Sequence, residues 1–187
     1  QNDHAHAEQA LQLAAAAYQR LGLVDGLVDV RNCQALVAQS LGEHRRSVER
    51  GAAALALART LGDPDLIAES LNSLSRATRE LGDYASATHL AQEIVSLSPD
   101  SASRMRAVVL LTQGDIARDI GDSVAVREHC TTSLAIFRAL GEPLGEGFAL
   151  HNLAVAALID GDVPRARTLC QESLAIFQRG DVQGAIT

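Results

Sequence analysis

Eight glycines keep time along this chain. Gly22, Gly42, Gly62, Gly82, Gly121, Gly141, Gly161 and Gly180 are separated by 20, 20, 20, 39, 20, 20 and 19 residues. Pro99-Asp100 stands near the centre of the one double gap. Seven of the eight glycines precede an acid, from Gly42-Glu43 to Gly180-Asp181. A glycine just past a helix accepts the left-handed backbone that closes its C-terminus. The acid behind it can cap the next helix, because its carboxylate accepts from free N–H groups at the positive end of the helix dipole. Pro64, Pro143 and Pro164 fall in the first positions of the following helices, where a missing N–H costs nothing. Each such dipeptide therefore reads as a stop and a start. About nine helices of roughly 15–18 residues follow, joined by very short turns.

Short turns make neighbouring helices antiparallel and hence paired. A pair occupies 40 residues, and that longer period is visible directly. Ser133-Leu134-Ala135-Ile136-Phe137 recurs as Ser173-Leu174-Ala175-Ile176-Phe177, and Cys130 and Cys170 share the offset. Apolar spacing is helical: Val163, Ala166, Cys170, Leu174 and Phe177 form one stripe, with Val126, Cys130, Leu134, Phe137 and Leu140 in the pair before. Ile67, Leu71, Leu74, Thr78 and Leu81 give the partner-helix version. The fold class is all-α. One array over 1–187 is expected, with helix pairs at about 23–61, 63–98, 101–140 and 142–179 behind an unpaired helix at 3–21. A lone pair could not bury its stripe, since ordering costs about 1–2 kcal/mol per residue. Stacked copies supply the burial.

Composition narrows the function. Hydrophobic residues are 47% and charged residues 21%, which suits a globular chain. A net charge of −7 argues against a nucleic-acid surface, which shows a basic face. All 16 basic residues are Arg, as GC-rich codons favour. Cys33, Cys130 and Cys170 lack metal-ligand spacing and read as small core residues on buried stripes. The longest apolar runs, such as 52–58 and 154–159, fall far short of the roughly 18 residues of a membrane span. No signal-peptide pattern opens the chain, so a cytoplasmic setting is expected. His4 and His6 point to different faces of a frayed terminus. Gly141, Gly145 and Gly147 form a glycine-rich turn without a preceding strand, and Arg179-Gly180-Asp181 is one more helix junction. Nothing calls for an enzyme, a cofactor or a metal.

Leu150, Leu153 and Ala154 followed by Ala166 match a known order, as do Leu71, Leu74, Ser75 and Ala87 with Pro99 behind them, and Leu110, Gly114 and Ala117. On these residues the chain resembles the tetratricopeptide repeat (TPR) family. The period departs from the family's: 40 residues here, about 34 there, with Leu for the large aromatic of the first helix. The resemblance implies a right-handed superhelical solenoid of antiparallel helix pairs. The Ala- and Arg-rich phrases SLAIFRALGE and NLAVAALIDGD are similar to the C-terminal helical arms of large bacterial regulators, LuxR-type or MalT-like activators and signalling ATPases. That implies a fragment of a longer chain.

In such solenoids the first helix of each pair lines a groove. The candidates there are Asn32, Gln39, Glu69, Asn72, Arg76, Arg79, Asp115, Arg118, Phe148 and His151, with Val155 and Leu158 beside them. In some proteins of the family, Asn with basic residues at such positions grips a peptide backbone or carboxylate, which implies that role for Arg76, Arg79 and Arg118. Alternatively these are solvated charges in pairs within a helix, such as Arg76 with Glu80. The first functional reading is a protein- or peptide-binding scaffold, the sensor or assembly arm of a cytoplasmic bacterial transcriptional or signalling regulator. A small-molecule effector domain is the second. A homo-oligomer driven by the apolar 148–159 region is the third. Direct nucleic-acid or membrane contact by this segment is not expected.

Overall fold

A computed structural model of the chain describes residues 2–97 and 104–184, with side chains over 6–97 and 104–179. Among the described residues there are nine α-helices and no strand. They are α1 (Asn2–Leu21), α2 (Val24–Ser40), α3 (His44–Leu61), α4 (Pro64–Glu80), α5 (Tyr84–Leu97), α6 (Arg104–Asp119), α7 (Ser123–Leu140), α8 (Pro143–Ile159) and α9 (Val163–Gly184). The all-α reading and the helix count hold. The Pro99-Asp100 junction lies outside the described residues, as does the side chain of His4; His6 is exposed.

The turns work as the glycine spacing requires. The seven regularly spaced glycines from Gly22 to Gly161 all have positive φ, for example +69° at Gly62 and +80° at Gly121. Behind them the next residue reaches back: Asp122 N–H donates to Ala117 C=O at 2.9 Å and Asp162 N–H to Ala157 C=O at 2.8 Å. That residue then faces forward as a cap. Asp63 accepts from Asp65 and Leu66, Asp83 from Ser86, Asp122 from Ala125 and Asp162 from Arg165. Glu43 and Glu142 make no such bond. A glutamate is one methylene too long, and both instead pair with arginines, Arg46 and Arg104.

Gly180 is a correction. No helix ends there, and α9 runs through it to Gly184, so Arg179-Gly180-Asp181 lies inside a helix. Gly145 and Gly147 are also helical, in the first turns of α8. Their role is close approach. A Cβ at Gly145 would stand 2.4 Å from the Phe137 ring, and one at Gly147 2.8 Å from Phe177.

Two compact units divide the chain, residues 1–97 and 98–187. In the first, α2 packs on α1, α3 and α4, and α4 also packs on α3 and α5. In the second, α8 packs on α6, α7 and α9, and α6 also packs on α7. Both units share one logic: each first-of-pair helix touches its partner, and α2 touches α4 as α6 touches α8. The interior suits it. Val28, Ala54 and Ala58 form one buried cluster, and Ala117, Val126, Cys130, Leu134, Ala149, Leu150, Leu153 and Ala156 another. Small side chains let helix axes approach to about 8–10 Å.

Four buried serines lace the pairs together. Ser47 donates to Ala35 C=O, Ser75 to Ala87 C=O, Ser133 to Ala107 C=O and Ser173 to Gly147 C=O, each at 2.8 Å. A buried hydroxyl must find a partner, and each of these finds a carbonyl of the paired helix.

The expected stripes are partly corrected. Leu71, Leu74 and Thr78 are buried, but Leu81 and Leu140, at the helix ends just before Gly82 and Gly141, are exposed. Cys130 is buried, whereas Cys33 and Cys170 are exposed, so only one cysteine is a core residue. Along α9, Ala166 is buried but Val163 and Leu174 are not.

Two substitutions of one residue type should have opposite signs. Gly121→Ala forces a Cβ into a left-handed backbone and should cost about 1–2 kcal/mol. Gly180→Ala, within a helix, should gain about 0.5–1 kcal/mol. Urea unfolding of both variants checks the contrast.

Candidate functional site

On α4, Glu69, Asn72, Arg76 and Arg79 follow one another at helical spacing, beside the buried stripe Ala68, Leu71, Ser75 and Thr78. Glu69 is exposed, while Asn72, Arg76 and Arg79 are half-buried. The expected Arg76–Glu80 pair does not form. Glu80 pairs with Arg79, whose side chain is only 10% exposed. Adjacent residues meet there because Arg79 is held against the helix and its long stem must lie along the surface. Arg76 has no ion-pair partner among the described residues.

From α2, Asn32 reaches across to α4, its Nδ2 donating to Ser70 Oγ at 3.3 Å. The Oδ1 of the same amide is buried and accepts nothing among the described residues. Gln39 lies half-buried further along α2. The first unit thus leaves an acceptor and a cation with capacity to spare.

The second unit differs. Arg118 Nη1 donates to Asp115 Oδ1 at 3.1 Å and to Asn152 Oδ1 at 2.6 Å, and its other nitrogens meet Asp119 at 3.0 and 3.2 Å. Asn152 Nδ2 returns to Asp115 Oδ1 at 2.8 Å. The guanidinium that sequence assigns to a ligand is therefore engaged in tying α6 to α8. Asn152, absent from the sequence candidates, is its keystone and is almost wholly buried. Beneath lies Cys130, whose thiol burial pushes up to about 12, with a hydrogen bond to Asn152 opposing the shift. Its sulfur sits where a Cβ on Gly114 would be, at 2.2 Å. Phe148 is 53% exposed and meets Phe177 edge-on, centroids 5.1 Å apart. His151 and Leu158 are exposed, and Val155 is half-buried.

Ion pairs between second-of-pair helices were not legible in sequence. Arg46 of α3 meets Glu8 of α1 at 2.7 Å, and Arg59 of α3 meets Glu93 of α5 at 2.7 Å. The counterpart in the second unit, Arg138 of α7 to Glu172 of α9, is stretched to 4.0 Å. There the helices leave a groove of about 640 Å³ floored by Leu150, Ala175 and Ile176 and rimmed by Glu146, Glu172, Arg138 and Arg179. Among the described residues no three of His, Cys, Asp and Glu gather as metal ligands, and no helix is long and apolar enough to cross a membrane.

The Gly114–Cys130 contact is testable. Gly114→Ala should cost about 1–3 kcal/mol by overpacking. Cys130→Ala in the same chain should recover most of that, and a double-mutant cycle in urea measures the coupling.

Segments 67–98 and 149–180 match the tetratricopeptide repeat model. No curated protein matches the chain. Among solved structures, BtubC (BKLC) from P. vanneervenii is similar, with a TM-score of 0.73 at 21% identity over 94% of this chain and 72% of that one. Two structures of nearly identical TPR-like repeats, from a Podosopora anserina protein described as a kinesin light chain, give TM-scores of 0.62 and 0.59. Identities are 16% and 17%, over 92% of this chain and 95% of those. By fold and by these two segments, the chain is a TPR-like repeat scaffold, of the kind generally used for protein–protein interaction.

Proposed function

We propose that the α2–α4 face binds an acidic peptide segment of a partner protein. The carrying observation is the contrast between units: Arg118 is engaged by its own acids, whereas among the described residues Arg76 makes no ion pair and Asn32 Oδ1 accepts no hydrogen bond. A peptide N–H suits that oxygen and a side-chain carboxylate suits that guanidinium. Asn72, one turn before Arg76, and Gln39 flank the same path; Glu69 at its edge disfavours a second acid there.

The setting we infer is the sensor or assembly arm of a cytoplasmic bacterial transcriptional or signalling regulator. Its support is the Ala- and Arg-rich character of the repeats and their similarity to such arms. The domains encoded beside this segment test it, and a helix-turn-helix or nucleotide-binding module is the expected neighbour.

For the peptide, Arg76→Glu should weaken capture of a fluorescent Glu-rich peptide at low salt by at least about tenfold, the scale of one charge-assisted hydrogen bond. Arg104→Glu, in the other unit, should leave it unchanged. Equal affinity of the Arg76 variant and the parent in fluorescence polarisation would remove this face from the reading.

The groove of about 640 Å³ between α7 and α9 favours a second reading, a small effector with an apolar body and an anionic end. A metabolite screen by thermal melting should then find a compound that stabilises the chain by about 2.7 kcal/mol at a hundred times its dissociation constant. Arg138→Ala with Arg179→Ala should abolish that gain.

A further inference from the structure

The groove of about 640 Å³ between α7 and α9 is walled on both sides by helices of this chain, with Leu150 and Glu146 of α8 beneath. Pro64 and Pro143 are 79 residues apart, as are Leu71 and Leu150, so the α3–α5 face of the first unit is its counterpart. In that register Arg59 and Glu93 hold the places of Arg138 and Glu172. The first pair closes at 2.7 Å, whereas the second stands at 4.0 Å. Glu146 is the added residue, where the first unit has Ile67. Arg138 Nε donates to Glu146 at 3.4 Å while its Nη2 faces Glu172 at 4.0 Å. One guanidinium thus serves two carboxylates and reaches neither at the about 2.7–2.9 Å of a full charge-assisted bond.

Charge is therefore uneven along the groove. Carboxylates outnumber the cation two to one around Arg138. Arg179 makes no ion pair among the described residues, and its Nε donates to Ala175 C=O at 3.0 Å. Glu172 and Arg179 are seven residues apart on α9, which puts them on one face, two turns and about 10 Å apart along the axis. Ala175 and Ile176 lie between them, above Leu150. A plain anion drawn to Arg138 would meet both glutamates. The complement of this rim is a molecule with a cation at one end, an anion at the other and an apolar body between.

We propose that the groove takes a short apolar peptide with both termini free. Its ammonium donates to Glu172 and Glu146, its carboxylate accepts from Arg179, and its side chains cover Leu150, Ala175 and Ile176. The span sets the length. An extended chain covers about 3.3–3.6 Å per residue, so about three residues join the two ends and a single amino acid cannot. The assignment rests on the reading of this groove as an effector site and names the effector's chemistry. It is independent of the α2–α4 face.

Isothermal titration calorimetry on the full chain tests it with trileucine, N-acetyl-trileucine, trileucine amide, triglycine and free leucine. Trileucine should bind. Blocking either terminus should weaken it by about tenfold, the scale of one charge-assisted hydrogen bond. Triglycine, of equal span without side chains, and leucine, too short to reach, should both be weaker still. Glu172→Gln should erase the penalty for acetylation and keep that for amidation, and Arg179→Ala should do the reverse. Both side chains are exposed, so neither change threatens the fold. Penalties that persist unchanged in both variants overturn the proposal. Equal affinity for trileucine and its N-acetyl form also overturns it, and leaves the groove a site for a simple anionic effector. If trileucine fails at millimolar concentration while another compound stabilises the chain through Arg138 and Arg179, the peptide is wrong and the effector site stands. If no compound of either kind binds, both fall together.

Discussion

One device recurs at the helix junctions of this structure: at Asp83, Asp122 and Asp162 a single aspartate belongs to two helices at once. Its N–H closes the helix behind it and its carboxylate opens the helix ahead, so the junction needs no further residues. Such a junction leaves no slack for anything but an antiparallel neighbour. From that geometry follow the pairs, and from the pairs the way a first helix is enclosed by the helices on either side. Alanine and serine then become the natural interior, since helices held so tightly have little room for aromatic rings.

The two units use similar polar residues to different ends. In the second, Asp115, Arg118 and Asn152 are closed into a network that ties first-of-pair helices together. In the first, the Asn32 amide links α2 to Ser70 of α4, and its Oδ1 accepts no hydrogen bond among the described residues. A closed network rigidifies, and a partly satisfied one invites a ligand to complete it. That difference in satisfaction, rather than any difference in charge, separates framework from candidate site.

The helices were legible because glycine and proline act locally, and six of the junction positions carry their acid in plain view. Gly180 misled for the same reason: its dipeptide has the local signature, but the helix continues through it. Stripes were legible in α4 and α7, which pack against helices on either side. Cys170 and Leu174 have the same spacing in sequence, and spacing does not reveal which side of a helix is covered. Arg118 and Asn152 lie 34 residues apart, and Arg138 and Glu172 the same; pairings at that distance depend on helix rotation, which periodicity fixes only roughly.

The four serine hydroxyls have a consequence for register. Helices whose facing surfaces are mostly methyl groups can slide past each other by a turn at little loss of packing. A hydroxyl that finds its carbonyl at only one depth forbids the slide, because a slipped helix would leave the oxygen buried without a partner, at about 1–3 kcal/mol. With Ser133 and Ser173 each 26 residues from the acceptor, successive hairpins are pinned at one identical offset. Alignment of the two helices within a pair is thus set by a single polar atom, while the greasy contacts around it supply adhesion without direction.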